Sequence, residues 1–302
     1  MAWTTTGDLD EFLAVAGGFL RARPASNTIL LTTADNLAVR GMHAYGSGDP
    51  AFGWWRGADG EVAGAFLRTP PLAAVLTDLP PDAVPSLVDA LGDVPAFSAE
   101  VGVAERVAAE WTRRTGVTAE VSLRSRLYRL ERLTRPSFMP RGRARIATAA
   151  DRDLLISWYE LFAIELGQPA ENPAEAVDDR IAYGGLMLWE TRQGPVSMAG
   201  HSRPVAGMVR VAPVFTPVAS CLRAGIFIAA HPDGLRRRGY GGAVTMAVSL
   251  RAKELARDVL LFTDVANPTS NALYQRLGYR PVEDRLVMSL RPRPTSETSP
   301  RS

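Results

Sequence analysis

The stretch of this chain best suited to holding a phosphate is Arg236-Arg237-Arg238-Gly239-Tyr240-Gly241-Gly242. Glycines at 239 and 241 let the backbone turn tightly with its N–H groups facing outward. A helical pattern begins at Ala243, and a helix start adds unpaired N–H groups and the positive end of its dipole. Such a site takes a phosphate or pyrophosphate, and the arginines add charge and directional donors. The segment is not a P-loop, for it lacks Gly-x-x-x-x-Gly-Lys-Ser/Thr, and it is not a dinucleotide fingerprint after a first strand. Taken alone, the same residues also fit an arginine-rich turn at a helix start.

The elements around this loop follow a regular order. A strand at Ile146 precedes a helix from Asp151 to Leu166, with Leu154, Leu155, Trp158, Leu161 and Phe162 at helical spacing. Leu186 to Glu190, a turn at Thr191 to Gly194, and Val196 to His201 give strand, turn, strand. Met208 to Thr216 is a further strand. After the loop come a helix from Ala243 to Arg257, a strand from Val259 to Thr263, a helix from Ser270 to Leu277 and a last strand from Arg285 to Leu290.

The first half runs through much the same order. A helix from Asp8 to Arg23 ends at Pro24. Phe52 to Trp55 and Val62 to Leu67 flank a polar turn, and a helix follows from Asp82 to Leu91. A strand from Phe97, a helix from Glu105 to Arg114 and a strand from Val117 to Leu130 complete the half. Trp55, Gly60, Val62 and Ala65 match Trp189, Gly194, Val196 and Ala199 in type and spacing. This supports an internal duplication, although hairpins favour such residues on their own account. Pro136, Pro140 and Gly142 mark a linker.

Composition narrows the function classes. The 302 residues are 46% hydrophobic and 22% charged, which suits a globular chain of two domains. No apolar run approaches the ~20 residues that span a bilayer, and the first residues show no signal-peptide pattern. Cys221 is the single cysteine, so no internal disulfide and no metal-binding cluster is expected, and the compartment expected is the cytoplasm. Net charge is only +2, so an arginine-rich nucleic-acid binder falls behind. Lys253 is the only lysine, a bias that suits a GC-rich genome.

Downstream of the loop stands Asn267-Pro268-Thr269-Ser270-Asn271-Ala272-Leu273-Tyr274-Gln275-Arg276-Leu277-Gly278-Tyr279. Together, Arg-x-x-Gly-x-Gly at 236–241 and this segment resemble the Gcn5-related N-acetyltransferase (GNAT) family from about Arg145 to Leu290. The first half resembles a degenerate copy without either motif. The resemblance implies an α/β fold with two GNAT-like domains, each a central mixed sheet flanked by helices. The domains expected are 1–135, a linker at 136–144, a catalytic domain at 145–290 and a disordered tail at 291–302.

The resemblance also implies a reaction: acetyl transfer from acetyl-CoA to a primary amine of a small molecule, by direct transfer in a ternary complex and without a metal. Arg236, Arg237, Arg238, Gly239, Tyr240, Gly241 and Gly242 would hold the pyrophosphate. Asn267 and Ser270 would also face the cofactor, Val214, Phe215 and Thr216 would meet the pantetheine, and Tyr274 would protonate the departing thiolate. Packing with Leu273 and Leu277 is the alternative role for Tyr274. Glu190 and Glu165 are candidate bases, as are His201 and His231 by their titration range, and each also fits an ordinary structural role.

One departure stands out. Val218 to Gly234 separate the strand at 208–216 from the loop, and Gly225 to Ala230 form a second strand-like run that competes for the cofactor edge. This insert keeps open a non-catalytic acyl-CoA-binding or regulatory protein. The sequence leaves the acceptor and the oligomeric state open, a homodimer included.

Overall fold

The structure, a computed structural model, describes residues 2–167, 172–218 and 235–291. The expectations placed on 219–234, on His231 and on the tail at 292–302 lie outside these residues. Eight α-helices and twelve strands form a mixed α/β architecture among the described residues. No helix among them is long and apolar enough to cross a membrane.

Two compact units divide the chain, and neither is continuous. The first holds residues 1–19, 47–125 and 284–302, and the second holds 20–46 and 126–283. This differs from the expected split at 136–144. Residues 136–142 lie in the second unit, and β7 (Arg143–Ile146) begins inside the expected linker. Met139 packs on that unit's core, and the Trp189 indole donates to the Arg141 carbonyl at 3.3 Å. Proline and glycine broke the periodic pattern there without freeing the chain from packing.

In the first unit, β1 (Trp3–Thr6), β2 (Ala51–Arg56), β3 (Val62–Arg68) and β4 (Ala74–Leu76) pair antiparallel in turn. Next, β4 pairs parallel with β5 (Ala96–Glu100), which pairs antiparallel with the C-terminal part of β12 (Tyr279–Arg291). Helices α3 (Val84–Leu91) and α4 (Val101–Thr115) count with this unit, as do residues 9–19 of α1 (Leu9–Ala22), whose Phe12 ring stacks on Phe52 at 5.2 Å. The core gathers Phe66, Leu76, Leu87, Phe97, Val107 and Trp111, with the Phe97 and Trp111 rings stacked 6.0 Å apart. Glu100 caps α4, accepting from the N–H groups of Gly102 and Val103, and Gly116 ends that helix in the left-handed conformation.

In the second unit, β7, β8 (Leu186–Thr191), β9 (Gly194–His201) and β10 (Met208–Phe215) pair antiparallel, and β10 then pairs parallel with β11 (Asp258–Asp264). The order continues to β6 (Thr118–Leu130), whose residues from Arg126 onward count with this unit. Both units therefore run the same sequence of pairings, three antiparallel and one parallel. Each hairpin also shifts register just after its tryptophan, at Trp55/Arg56 and at Trp189/Glu190. Helix α5 (Arg152–Glu165) buries Leu155 and Trp158, and α7 (Tyr240–Leu255) buries Ala243, Val244, Val248 and Ala252.

Two helices of this unit went unread in the sequence. Helix α2 (Thr28–Arg40) turns Thr28, Leu30, Leu31, Thr32 and Leu37 inward; its mixed threonine–leucine face hides the helical period. Helix α6 (Pro173–Ala182) is ten residues long and opens with a proline after Asn172, a start signal that the search for long apolar periods passed over. The remaining helix, α8, spans Pro268–Arg276.

Candidate functional site

Strands β10 and β11 run parallel but pair over only three positions, Met208 with Asp258, Val209 with Val259 and Arg210 with Leu260. Beyond Arg210, β10 keeps its bonds to β9 on one edge, through Val214 with Ala199 and Phe215 with Met198, with a register shift between Val211 and Val214. No register partner on β11 faces that stretch. A strand edge without a ladder exposes backbone donors and acceptors. Among the described residues that edge lies between Val211 and Phe215, where Pro213 has no N–H and the Ala212 and Phe215 carbonyls already accept from Arg180 and Ser197.

That edge leads toward the arginine–glycine loop. Ser197 Oγ donates to the Phe215 carbonyl at 2.9 Å and lies 2.8 Å from Thr216 Oγ1. The Arg236 guanidinium donates to the Thr216 carbonyl at 2.8 Å and to Glu165 at 2.7 Å. A β-carbon added at Gly241 would lie 3.4 Å from Thr216 Oγ1. The structure thus brings Phe215 and Thr216 together with both ends of the loop, and Glu165 joins as the ion-pair partner of Arg236.

The loop itself has anion-binding geometry. Arg237 and Gly239 have φ of 62° and 81°. Gly239 stands at the N-cap of α7 with no side-chain cap, and the Ala243 N–H makes the first bond back to its carbonyl. The N–H groups of Tyr240, Gly241 and Gly242 precede that bond and belong to the set a helix leaves unpaired. Positive backbone angles beside a helix start turn such N–H groups toward one point. A β-carbon at Gly239 would lie 3.3 Å from the Phe138 ring, and the left-handed angle adds strain for any other residue.

Gly242 lets α8 approach this first turn, for its added β-carbon would lie 3.0 Å from Leu273. Asn267 caps α8, its Oδ1 accepting from the Ser270 N–H at 3.0 Å. The side chain of Asn267 and the backbone of Ser270, both expected at the cofactor, therefore also bond to each other. Tyr274 is buried between the rings of Tyr128 and Tyr279, at 6.5 Å and 6.1 Å. No protein group among the described residues hydrogen-bonds its hydroxyl, and burial pushes the phenol up to about 12. Such a phenol stays protonated over the working range of an enzyme and can donate, so it also packs, as the alternative role required.

Glu190 is placed elsewhere. It sits on β8, separated from β10 by β9, and pairs with Arg145 at 2.9 Å and Arg143 at 3.4 Å. The Arg145 hydrogen bond holds its carboxyl below the usual carboxylate value. A carboxylate so paired is a poor proton acceptor, which argues against the base role expected for it. Arg145 also holds Asp151 with two bonds of 2.7 Å and 2.8 Å, so Glu190 belongs to an ion-pair cluster at the start of α5. His201 is buried, with Nδ1 2.8 Å from the Ser202 carbonyl and burial lowering its pKa.

Sequence reasoning missed Tyr128, whose hydroxyl donates to Asn271 Oδ1 at 2.9 Å and accepts from Gln275 at 3.1 Å. It also missed Tyr159, Arg180 and Arg210. Only the helix-start signal at Pro173 pointed toward the segment carrying Arg180. Among the described residues no group of three or more histidine, cysteine or acidic side chains is arranged to hold a metal.

Residues 224–287 match the family profile described as FR47-like protein. No curated protein matches the sequence. A GNAT-family acetyltransferase from Colwellia psychrerythraea is similar in structure, with 11% identity and a TM-score of 0.58, over 97% of this chain and 100% of that one. A GCN5-related N-acetyltransferase from Sphaerobacter thermophilus matches with 14% identity and a TM-score of 0.58, over 96% of each chain. A tandem GNAT protein from the clavulanic acid biosynthesis pathway matches with 13% identity and a TM-score of 0.51, covering 95% of this chain and 98% of that one. The chain has the GNAT fold, with an FR47-like segment in its C-terminal part.

Proposed function

We propose that the second unit binds acetyl-CoA and transfers its acetyl group to a primary amine of a small molecule, in a ternary complex and without a metal. The observation that carries this reading is the convergence of the edge of β10 that no described residue pairs with and the helix start at Tyr240 to Gly242. One offers backbone groups to an amide-bearing arm, and the other offers N–H groups to a pyrophosphate. The arginines at 236–238 add positive charge beside them.

The cofactor supplies an activated thioester. The chain would supply three things. Backbone N–H groups on the free edge beyond Arg210 would polarise the thioester carbonyl. The loop would fix the nucleotide end, so that binding energy far from the reacting atom sets its position. The Tyr274 hydroxyl would give a proton to the departing thiolate, a role its raised pKa favours by keeping it protonated. Cytoplasmic residence fits the lone cysteine.

A thiol-release assay with acetyl-CoA and a panel of small amines tests the reading. Wild-type protein should release CoA with at least one amine, and Tyr274→Phe should turn over more slowly while holding the cofactor as tightly. Saturable CoA binding with no turnover on any amine would favour the non-catalytic alternative.

A further inference from the structure

The second unit gathers cations that its own carboxylates do not balance. Arg210 is the last residue of β10 paired to β11. Its backbone bonds to Ser202, but its guanidinium meets no carboxylate among the described residues. Two residues earlier on the strand, and so on the same face, Met208 accepts a bond from Thr28 of α2. Arg180 of α6 reaches the same place. It donates to the Ala212 carbonyl at 3.4 Å and lies 5.8 Å from the centre of the Tyr159 ring.

Arg180 Nε and Arg40 Nε are buried and unpartnered, and the buried Tyr159 hydroxyl has the Arg180 guanidinium beside it without a well-formed hydrogen bond. Two carboxylates stand nearby. Asp179 is taken by Arg203 in a two-bond pair. Asp35 is held above its usual value, first by burial. Among the described residues, four arginines (Arg40, Arg180, Arg203 and Arg210) thus face two carboxylates. Burial works against the charge of both Arg210 and Arg180; it holds the Arg210 guanidinium below its ordinary pKa, whereas Tyr159, Tyr183, Tyr45 and Asp179 around Arg180 outweigh it there. Dehydrated cations without partners are costly, so an anion bound among them would gain what the protein lacks.

The place decides which anion. Ala212 lies in the register shift of β10, just past the last residue paired to β11. A strand rises about 3.3 Å per residue, so Arg210 lies roughly 16 Å from Phe215, at the opposite end of the free edge from the loop. The nucleotide phosphates belong at the loop end. The arginine end adjoins the point where the strands part.

We propose that Arg180 and Arg210, with the Tyr159 hydroxyl, bind an anionic group of the acceptor, so that the acceptor is an amine that also carries a carboxylate or a phosphate. This rests on the acyl-transfer reading above. Planar guanidinium groups suit either oxyanion and bond it in pairs.

Thermal melting of the full chain with saturating CoA, titrated with succinate and separately with inorganic phosphate against chloride at equal ionic strength, tests the proposal. CoA keeps the loop filled, and the two titrants separate the carboxylate from the phosphate source. The wild-type midpoint should rise saturably by several degrees with one of them. Arg180→Gln and Arg210→Gln should need at least tenfold more anion, and Arg210→Lys should fall between. Without succinate or phosphate, Arg210→Gln should melt at or above the wild type, because it removes a dehydrated charge. An Arg210→Gln variant melting well below it would mean that this arginine is structural, which overturns the proposal. So would a flat wild-type response, or one that both variants keep. CoA binding without an arginine-dependent anion response would sink this inference alone. An arginine-dependent response without any acetyl-CoA binding would sink the acyl-transfer reading and the acceptor assignment with it.

Discussion

The two units share a plan and differ where the parallel strands part. In the second unit, β10 leaves β11 after Arg210, no described residue pairs with that edge beyond it, and α7, a sixteen-residue helix, starts at the glycines of the loop. In the first unit, β4 pairs with β5 at Ala74 and Val75 only. There the buried Arg285 closes the corresponding gap, donating to the Leu76 carbonyl at 2.8 Å and to the Ser98 carbonyl at 3.3 Å. The chain then runs through Asp78-Leu79-Pro80-Pro81-Asp82 into an eight-residue helix. Prolines offer no N–H, and acidic residues at a helix start oppose an anion. A sheet order can persist on apolar packing alone, while phosphate binding needs a few backbone angles and charges, which among the described residues stand at the start of α7 and not at the start of α3.

The largest effect should come from Gly239→Glu. It places a side chain at φ 81°, against Phe138, and a negative charge at the helix start. Turnover on any accepted amine should fall below detection, while Gly239→Ala, which keeps the strain without the charge, should lose less. Equal loss in both would locate the effect in backbone strain, and no loss would remove the loop from the site.

Tyr274→Phe should lower kcat by about 10²–10⁴-fold, the usual range for a lost general acid, with cofactor affinity nearly unchanged. The buried phenol holds its proton up to about 12 against an ordinary 10.0, so steady-state rates should show no alkaline limb from it below pH 10. Its folded value lies above its unfolded one. Its contribution to stability is therefore complete below pH 10 and lost as pH rises toward 12, which alkaline melting curves of wild type and Tyr274→Phe would show.

Arg285→Met probes the other side of the comparison. It leaves two carbonyls of the first unit without their buried donor, at about 1–3 kcal/mol each, so the melting temperature should drop. Acetyl-CoA stoichiometry should not rise, because the proline-rich loop stays unfit. Added binding would mean that Arg285 alone closes that unit.

Arg145→Gln should have a smaller effect, about 1–3 kcal/mol for charge-assisted bonds in a half-exposed setting. Asp151 and Glu190 are both held low, chiefly by Arg145. Their stabilisation is present above the ordinary carboxylate range and fades as pH falls through it. Acid melting should show a weaker pH dependence in the variant, with turnover per folded molecule preserved.

Much of this arrangement could be seen in the sequence, and the reasons differ by feature. The hairpins showed through because alternation with a glycine turn has one reading. The loop showed through because glycine spacing before a helix limits the backbone to few shapes. The C-terminal part of β12 counts with the first unit, and nothing in an alternating strand names its neighbour. The arginine group at Arg180 and Arg210 was invisible for another reason. Arginine supplies nearly all the basic residues of this chain, so composition singles out none of them, and only folding shows which lack a carboxylate. Glu190 fits both a base and an ordinary structural carboxylate in the sequence, and only the pairing of β7 with β8 shows Arg143 and Arg145 beside it.

The central claim is that one unit, the second, holds the cofactor. Calorimetric titration of the full chain with acetyl-CoA tests it most directly, using wild type, Gly239→Glu and Arg285→Met. One site per chain is expected in wild type, none in Gly239→Glu and one in Arg285→Met. Two sites in wild type, or a site that survives Gly239→Glu, would contradict it.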